Sequence, residues 1–354
     1  MKSELDGPRG VKTAAYVNDQ DWYKIRQANF HTLYDDVLDR VIPVYRKYIT
    51  TKYPNGVQYQ PRKSFITTVG AIRKVMLNFV DQFLPDGDKK DECIKTILGT
   101  SDKVKSRIVT DPTSPLYKNM SYVSSSLDDG AVTMTVQLGE ELEKEPNLNN
   151  RKIKTNAYRI VTYGHETGHT LSSEYCTGKF EPPVDGMMGE IESLFFGKLF
   201  LDYLAQNANE VAEILALDEG DQETIAEILM DEKLAFESDL DKASWEKLLA
   251  LKSTENISGF DRMSQMRYAM GEFYAKILYA SYKGKLDFFD GDSKEETMKA
   301  FLTMLNNAHK LTLDDVAQLI TNGKLKTCDE VVDFNCAKLE ESTKIYEKYY
   351  QDEC

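Results

Sequence analysis

The sequence predicts a mainly α-helical protein with one small β-sheet, and three observations carry that expectation. Apolar residues recur at spacings of three and four through most of the 354 residues, the period of a helix with one buried face. One run, Ala131-Val132-Thr133-Met134-Thr135-Val136-Gln137-Leu138, alternates apolar and polar residues as a half-buried strand does. A loop-rich stretch from about Thr100 to Asn150 interrupts the helices, and a chain of this length is large enough to divide there into two lobes. Residues 1–120 are accordingly expected to form an amino-terminal helical subdomain, and residues 121–354 a region holding the sheet and the later helices.

The elements follow in order. Asp21 to Tyr48 carries Phe30, Leu33, Tyr34, Val37, Leu38, Val41 and Ile42 at helical spacing. Lys63 to Phe83 reads as a second helix, ended by Leu84-Pro85-Asp86-Gly87, where proline and glycine favour a turn. Asp128-Asp129-Gly130 is a turn signal that introduces the alternating strand, with Tyr122 to Leu127 as its hairpin partner. Ala157, Ile160, Val161, Gly164, Gly168 and Leu171 then make a stripe of apolar or small residues on one helical face. After a loop marked by Gly178, Pro182, Pro183 and Gly186, a helix runs from Met187 to Ala205 with Ile191, Leu194, Phe195, Leu199, Phe200 and Tyr203 as its stripe. Acidic amphipathic helices occupy Asn209 to Leu251.

Composition narrows the function classes. Lysine and arginine number 44 against 58 acids, a net charge of −14, and no basic run is present to line a phosphate backbone, so nucleic acid is excluded as an expected partner. No apolar stretch reaches the roughly 18 residues of a membrane-spanning helix, so no membrane partner is expected either. Met1 to Gly10 is charged and polar, unlike a secretory signal, and the expected location is cytoplasmic. Cys93, Cys176, Cys328, Cys336 and Cys354 are dispersed, with no CxxC pair, which describes neither a metal knuckle nor a disulfide framework. Cys328 and Cys336 are near enough in sequence to pair in an oxidising compartment.

The chemistry concentrates in His165-Glu166-Thr167-Gly168-His169. Residues four apart share a helical face, so both imidazoles reach one ion, and the intervening glutamate lies beside the water that such an ion activates. The chain has 4 histidines in all, and this motif holds two of them. Gly168 adds weight, because glycine inside a helix costs about 1 kcal/mol relative to alanine and its use there implies a close approach to the backbone.

A third ligand is needed. The longer HExxHxxGxxH pattern of one zinc-enzyme class fails, since Ser172 and Tyr175 stand where it requires glycine and histidine. A di-iron carboxylate bundle needs two ExxH units, and Glu166 to His169 is the one present. His31 and His309 lie far off in segments that read as ordinary helical surface, which favours a carboxylate and a His2Glu set with one position open for water. Glu190 and Glu192, near the start of the next helix, are both candidates. Two positions apart means about 200° of rotation, so only one of them can face the ion.

The stretch Ile160 to Ser173 resembles the active-site helix of the thimet oligopeptidase and oligoendopeptidase F group, the M3 family of zinc peptidases. Glu190-Ile191-Glu192-Ser193 is similar to that family's downstream glutamate followed three positions later by serine, which assigns the ligand to Glu190 with Glu192 in reserve. Tyr268-Ala269-Met270-Gly271, heading a long apolar helix, and two helices separated by a turn between Leu311 and Tyr349 also follow the family's carboxy-terminal pattern. The chain departs from it just before Tyr268: the family carries a histidine and several tyrosines there, and this chain has Gly259 to Met266. The resemblance implies a zincin-like helical metallopeptidase whose two lobes flank a cleft, holding one Zn2+ ion and admitting short or unfolded peptides.

Expected roles follow from charge placement. His165, His169 and Glu190 hold the zinc, and Glu166 acts as general base and then acid. The tetrahedral oxyanion needs a hydrogen-bond donor; Tyr268 is the first candidate through its motif, then Tyr274 and Arg262. The strand bearing Val132, Met134 and Val136 is expected to bind substrate as an edge strand. The alternatives are a zinc carboxypeptidase, with a pocket for the terminal carboxylate, and a non-catalytic helical interaction protein carrying a vestigial HExxH.

Overall fold

A computed structural model describes residues 3–6, 12–15, 37, 39–54, 62–117, 121–125, 132–171, 187–233, 259–308 and 311–352. The chain forms two compact units: Met1–Tyr59, Leu240–Met304 and Lys310–Cys354 make the first, Gln60–Asp239 with Leu305–His309 the second. The expected boundary near residue 120 is therefore replaced by crossings near 60 and 239. Strand pairing is the reason, because segments on both sides of residue 120 share sheets and must fold together.

The first unit opens with an antiparallel hairpin, β1 (Ser3–Asp6) with β2 (Lys12–Ala15), and helix α1 (39–52). The remainder of the helix expected from Asp21 lies outside the described residues, apart from Val37.

The second unit begins where a helix was expected from Lys63. Phe65-Ile66-Thr67-Thr68 is instead strand β3, its residues alternately facing in and out, and it pairs antiparallel with β8 (Lys152–Thr155). Helix α2 (Val69–Phe83) starts only after it, because the Thr68 side chain caps the first turn by accepting from the Ala71 N–H. Val69, Ile72, Val75, Met76, Phe79 and Val80 bury its apolar stripe. Helix α3 (Asp88–Leu98) ends on Gly99, whose φ of 74° closes the last turn in the left-handed region.

The sheets are small but specific. Strand β4 (Val104–Val109) runs parallel to β6 (Val132–Gln137), which pairs antiparallel on its other side with β5 (Tyr122–Ser125). The hairpin partner expected at Tyr122 is thus present, while the Asp128-Asp129-Gly130 turn lies outside the described residues. Strand β7 (Glu140–Glu141) follows β6 directly and joins β8. Gly139 marks the junction, since a Cβ there would stand 2.5 Å from the Lys154 carbonyl oxygen.

Helix α4 (Ala157–His169) begins at Asn156, whose side chain accepts from the Arg159 N–H. Its expected stripe is buried: Ala157, Ile160, Val161, Gly164 and Gly168, with Leu171 just beyond. Residues 172–186, including Gly178, Pro182, Pro183 and Gly186, lie outside the described residues. Helix α5 (Met187–Gln206) buries its predicted stripe and also Met188, Phe196, Leu201 and Leu204, so it is apolar on nearly every side, as a central helix must be. Helices α6 (Ala208–Leu215) and α7 (222–233) follow.

The chain returns to the first unit with α8 (Gly259–Tyr282), α9 (Ser293–Asn307, in this unit as far as Met304), α10 (Leu313–Ile320) and α11 (Cys328–Asp352). A capping box of Thr312 and Asp315 starts α10. Asn322 and Gly323, with φ of 51° and 73°, make the expected turn before α11. Cys328 and Cys336 both lie on α11 and are free thiols. Eight positions along a helix is about 12 Å, well beyond the roughly 7 Å limit for a disulfide, so the pairing considered from sequence spacing does not form. Among the described residues no helix is long and apolar enough to cross a membrane.

Candidate metal centre

The pairing of α4 with α5 builds the site. A Cβ on Gly168 would stand 2.7 Å from the Ser193 Cα and 3.1 Å from the Phe196 Cβ, and one on Gly164 would stand 2.4 Å from the Phe200 ring. The close approach expected at Gly168 is therefore the backbone of α5. Gly189 and Gly197 face back from α5, with hypothetical Cβ positions 3.4 Å from His169 Nδ1 and 3.6 Å from His165 Cβ. Small residues on both helices let the histidine face and the glutamate face meet without a layer of side chains between them.

The imidazoles of His165 and His169 stand 4.8 Å apart between ring centroids and nearly perpendicular, at 85°. Glu190 Oε2 lies 3.7 Å from His165 Nε2 and 3.8 Å from His169 Nε2. One ligand atom from each of the three residues falls within 4.8 Å of the others. The His–Glu separations exceed a hydrogen bond but match two metal bonds of about 2.0–2.2 Å meeting at one ion. The Glu190 side chain is only 3% exposed, against 21% for His165 and 14% for His169, so the carboxylate forms the floor and the imidazoles the rim.

Glu192 is fully buried, on a helical position rotated about 200° from that of Glu190. Among the described residues, the group of His, Cys, Asp or Glu side chains placed to hold an ion contains Glu190 and not Glu192. Glu166 lies on α4 between the two histidines, 5% exposed. His31 and His309 lie outside the described residues.

Several residues that the sequence did not single out hold α4 in place. The Tyr163 hydroxyl, on the buried side of α4, donates to the Ile97 carbonyl at the end of α3, 3.4 Å away. Burial pushes the Tyr163 pKa up, against the lowering effect of the nearby Arg73 guanidinium, so the phenol stays neutral. Arg73 is itself buried and donates to Asn149 Oδ1 at 2.7 Å. Beyond His169, Thr170 Oγ1 donates to the Thr167 carbonyl at 2.7 Å, and Lys89 Nζ donates to the Leu171 carbonyl at 2.7 Å. That ammonium sits at the negative end of the α4 dipole. Nothing in the local sequence around Lys89 or Arg73 marks either residue, because both act through contacts distant along the chain.

Two expectations need correction. Strand β6 is central rather than an edge: its backbone pairs with β4 on one side and β5 on the other, which leaves no ladder for a substrate. The side chains of Val132, Met134 and Val136 are buried, and Met134 Sδ lies 4.0 Å from the Thr167 hydroxyl of α4, which donates to the Tyr163 carbonyl at 2.8 Å. Its role is to back the motif helix. Tyr274 is likewise a packing residue, fully buried in the first unit, with its hydroxyl donating to the Leu313 carbonyl at 3.0 Å. Tyr268, also on α8, is half-buried, and its hydroxyl accepts from Arg267 Nη2 at 3.1 Å. Arg262 is on the same helix, its side chain outside the described residues.

The chain matches no known family model, no curated protein and no solved structure.

Proposed function

We propose that the second unit is the catalytic part of a zinc-dependent peptidase acting on short or unfolded peptides, with a zincin-like arrangement of two lobes around a cleft. The observation that carries this reading is the convergence of His165, His169 and Glu190 within 4.8 Å, with Glu166 buried on the same helix. Two imidazole nitrogens and one carboxylate oxygen are the donor set of catalytic zinc sites that keep a position open, so the residues present fit this metal. A zinc ion bound there supplies Lewis acidity toward a peptide carbonyl and lowers the pKa of water.

The remaining roles belong to the chain. His165, His169 and Glu190 fix the ion's position. Glu166 accepts a proton at a carboxylate oxygen and returns it to the departing amine. Strand β5 replaces β6 as the candidate substrate strand: among the described strands it is paired on one side only, and it packs against α4. An extended peptide added there would be held by main-chain hydrogen bonds largely independent of its side chains.

Metal analysis of the purified full chain, together with peptide-library digestion read by mass spectrometry, tests the proposal. One zinc per chain and cleavage of internal peptide bonds are expected, including in peptides with blocked carboxy termini. A folded chain that takes up no zinc, or a loaded one that cleaves no peptide, overturns it.

A further inference from the structure

The three-stranded sheet of the second unit has an edge opposite β5. Strand β4 pairs with β6 and with no other described strand, and among the described residues the backbone of 105–109 makes no backbone–backbone hydrogen bond outside that ladder. An edge strand aims a row of N–H and C=O groups away from its one neighbour, so β4 offers a template to a chain laid beside it. With six residues against the four of β5, it provides the longer ladder.

The two faces of β4 differ in chemistry. Val104, Ser106 and Ile108 stand in register with Val132, Met134 and Val136, on the face that backs α4. Val104 is buried there, whereas Ser106 and Ile108 are half-buried. On the other face, Lys105 and Arg107 stand in register with Thr133 and Thr135, which in turn oppose Ser124 and Tyr122 of β5. Two rows result, each with a cation on β4 and hydroxyls on β6 and β5. Neither row contains a carboxylate, in a chain with 58 acids and a net charge of −14. Lys105 and Arg107 are exposed, as is Lys103 just before the strand, and none of the three forms an ion pair among the described residues.

Like charges directly opposite one another on adjacent strands repel, and opposite charges attract. Lys105 and Arg107 therefore keep a second copy of β4 from adding to this edge, while the same two charges favour a strand whose facing side chains are acidic. Residues two apart on β4 are separated by about 6.6 Å, which is also the separation of alternate side chains on any extended chain.

We propose that the free edge of β4 docks an extended acidic peptide segment, with Asp or Glu at alternate positions and apolar residues between them. The carboxylates lie opposite Lys105 and Arg107, an apolar side chain covers Ile108, and the main chain of the segment completes a fourth strand. The docking edge and the β5 edge are on opposite sides of the same sheet, so binding at β4 requires no metal.

A fluorescein-labelled octapeptide alternating glutamate and valine, its termini blocked, is the probe, titrated into the full chain and read by fluorescence anisotropy. It is expected to bind, and to bind at least about 3-fold more weakly when salt rises past the concentration that screens exposed charges. Lys105→Glu combined with Arg107→Glu should weaken it at least about 10-fold, because two attractive pairs become repulsive, and should let the matching lysine–valine peptide bind in its place. An isomer with all its glutamates grouped at one end keeps the charge but loses the alternation, and should bind at least about 5-fold more weakly. Absence of binding by the alternating peptide, indifference to the charge reversal, or equal binding of the grouped isomer overturns the proposal. In the unmodified chain, saturating peptide should slow amide hydrogen exchange within residues 105–109. Unchanged exchange there likewise overturns it, whether or not the double variant folds.

Discussion

Two regions of this molecule bury polar side chains to opposite ends. In the first unit, the Tyr274 hydroxyl, the Cys328 thiol and Asp314 satisfy one another and the nearby backbone: Tyr274 donates to the Leu313 carbonyl, and Asp314 Oδ1 accepts from the Cys328 N–H at 2.6 Å. In the second unit, Glu190 stops 3.7 Å and 3.8 Å short of two imidazole nitrogens. The first cluster is closed by hydrogen bonds, whereas in the second the carboxylate and the two imidazoles stand just beyond hydrogen-bond distance of one another. Residue type does not separate the two clusters; the distances at which the groups are held do.

The largest expected effect tests the chemical side of this contrast. Glu166→Gln should retain zinc while losing at least about 100-fold in rate, the loss typical of a removed general base. A variant as active as its parent removes Glu166 from the role. Glu190→Gln should lose metal, measured by its zinc content after dialysis, and Glu192→Gln should keep it. The reverse result would exchange the two glutamates.

Gly168→Ala probes the packing that sets the distances. Its Cβ meets the Ser193 Cα at 2.7 Å, backbone that cannot swing aside, so the helices must separate. A stability loss of about 1–3 kcal/mol is expected, as for overpacked cores, together with weaker zinc affinity well below the melting temperature. Unchanged affinity would mean that the site tolerates helix separation.

Tyr274→Phe is the complementary probe of the closed cluster. It should lower stability by about 1–2 kcal/mol, because the Leu313 carbonyl loses its donor, and leave zinc content and peptide cleavage unaltered. A fall in cleavage without a fall in stability would return Tyr274 to the active-site candidates.

The smallest effects concern titration in the first unit. Burial pushes the Cys328 thiol up to about 12 and Cys336 up to about 11, so both should alkylate slowly at pH 8 in the native chain and rapidly after unfolding. Burial also raises Asp314. A carboxyl whose folded pKa lies above its unfolded one binds the extra proton in the folded state, so stability declines as pH rises through that window. Denaturant midpoints of the parent should therefore fall slightly from acid toward neutral pH, and Asp314→Asn should flatten that slope.

The helices α4 and α5 were legible because their information is local. The stripe from Ala157 to Leu171 and the one from Ile191 to Tyr203 repeat at the helical period, and the motif histidines need only that period to share a face. Strand β3 was not legible. Phe65 to Thr68 is four residues long, and what makes it a strand is its pairing with Lys152–Thr155, far along the chain. The rank of β6 within its sheet failed for the same reason, since alternation reports that one face is buried and says nothing of how many neighbours pair with the strand.

Residue type and helical period, which are properties of short segments, were enough for the mainly helical class, the motif helix and the two carboxylates near the start of the helix that follows it. The tertiary structure was needed to place Glu190 and not Glu192 within reach of the histidines, to put β5 and not β6 at the sheet edge, and to divide the units near residues 60 and 239. Each of those outcomes depends on which distant segments pack together. The energy of that packing is shared among residues too far apart in the chain for any local pattern to record it.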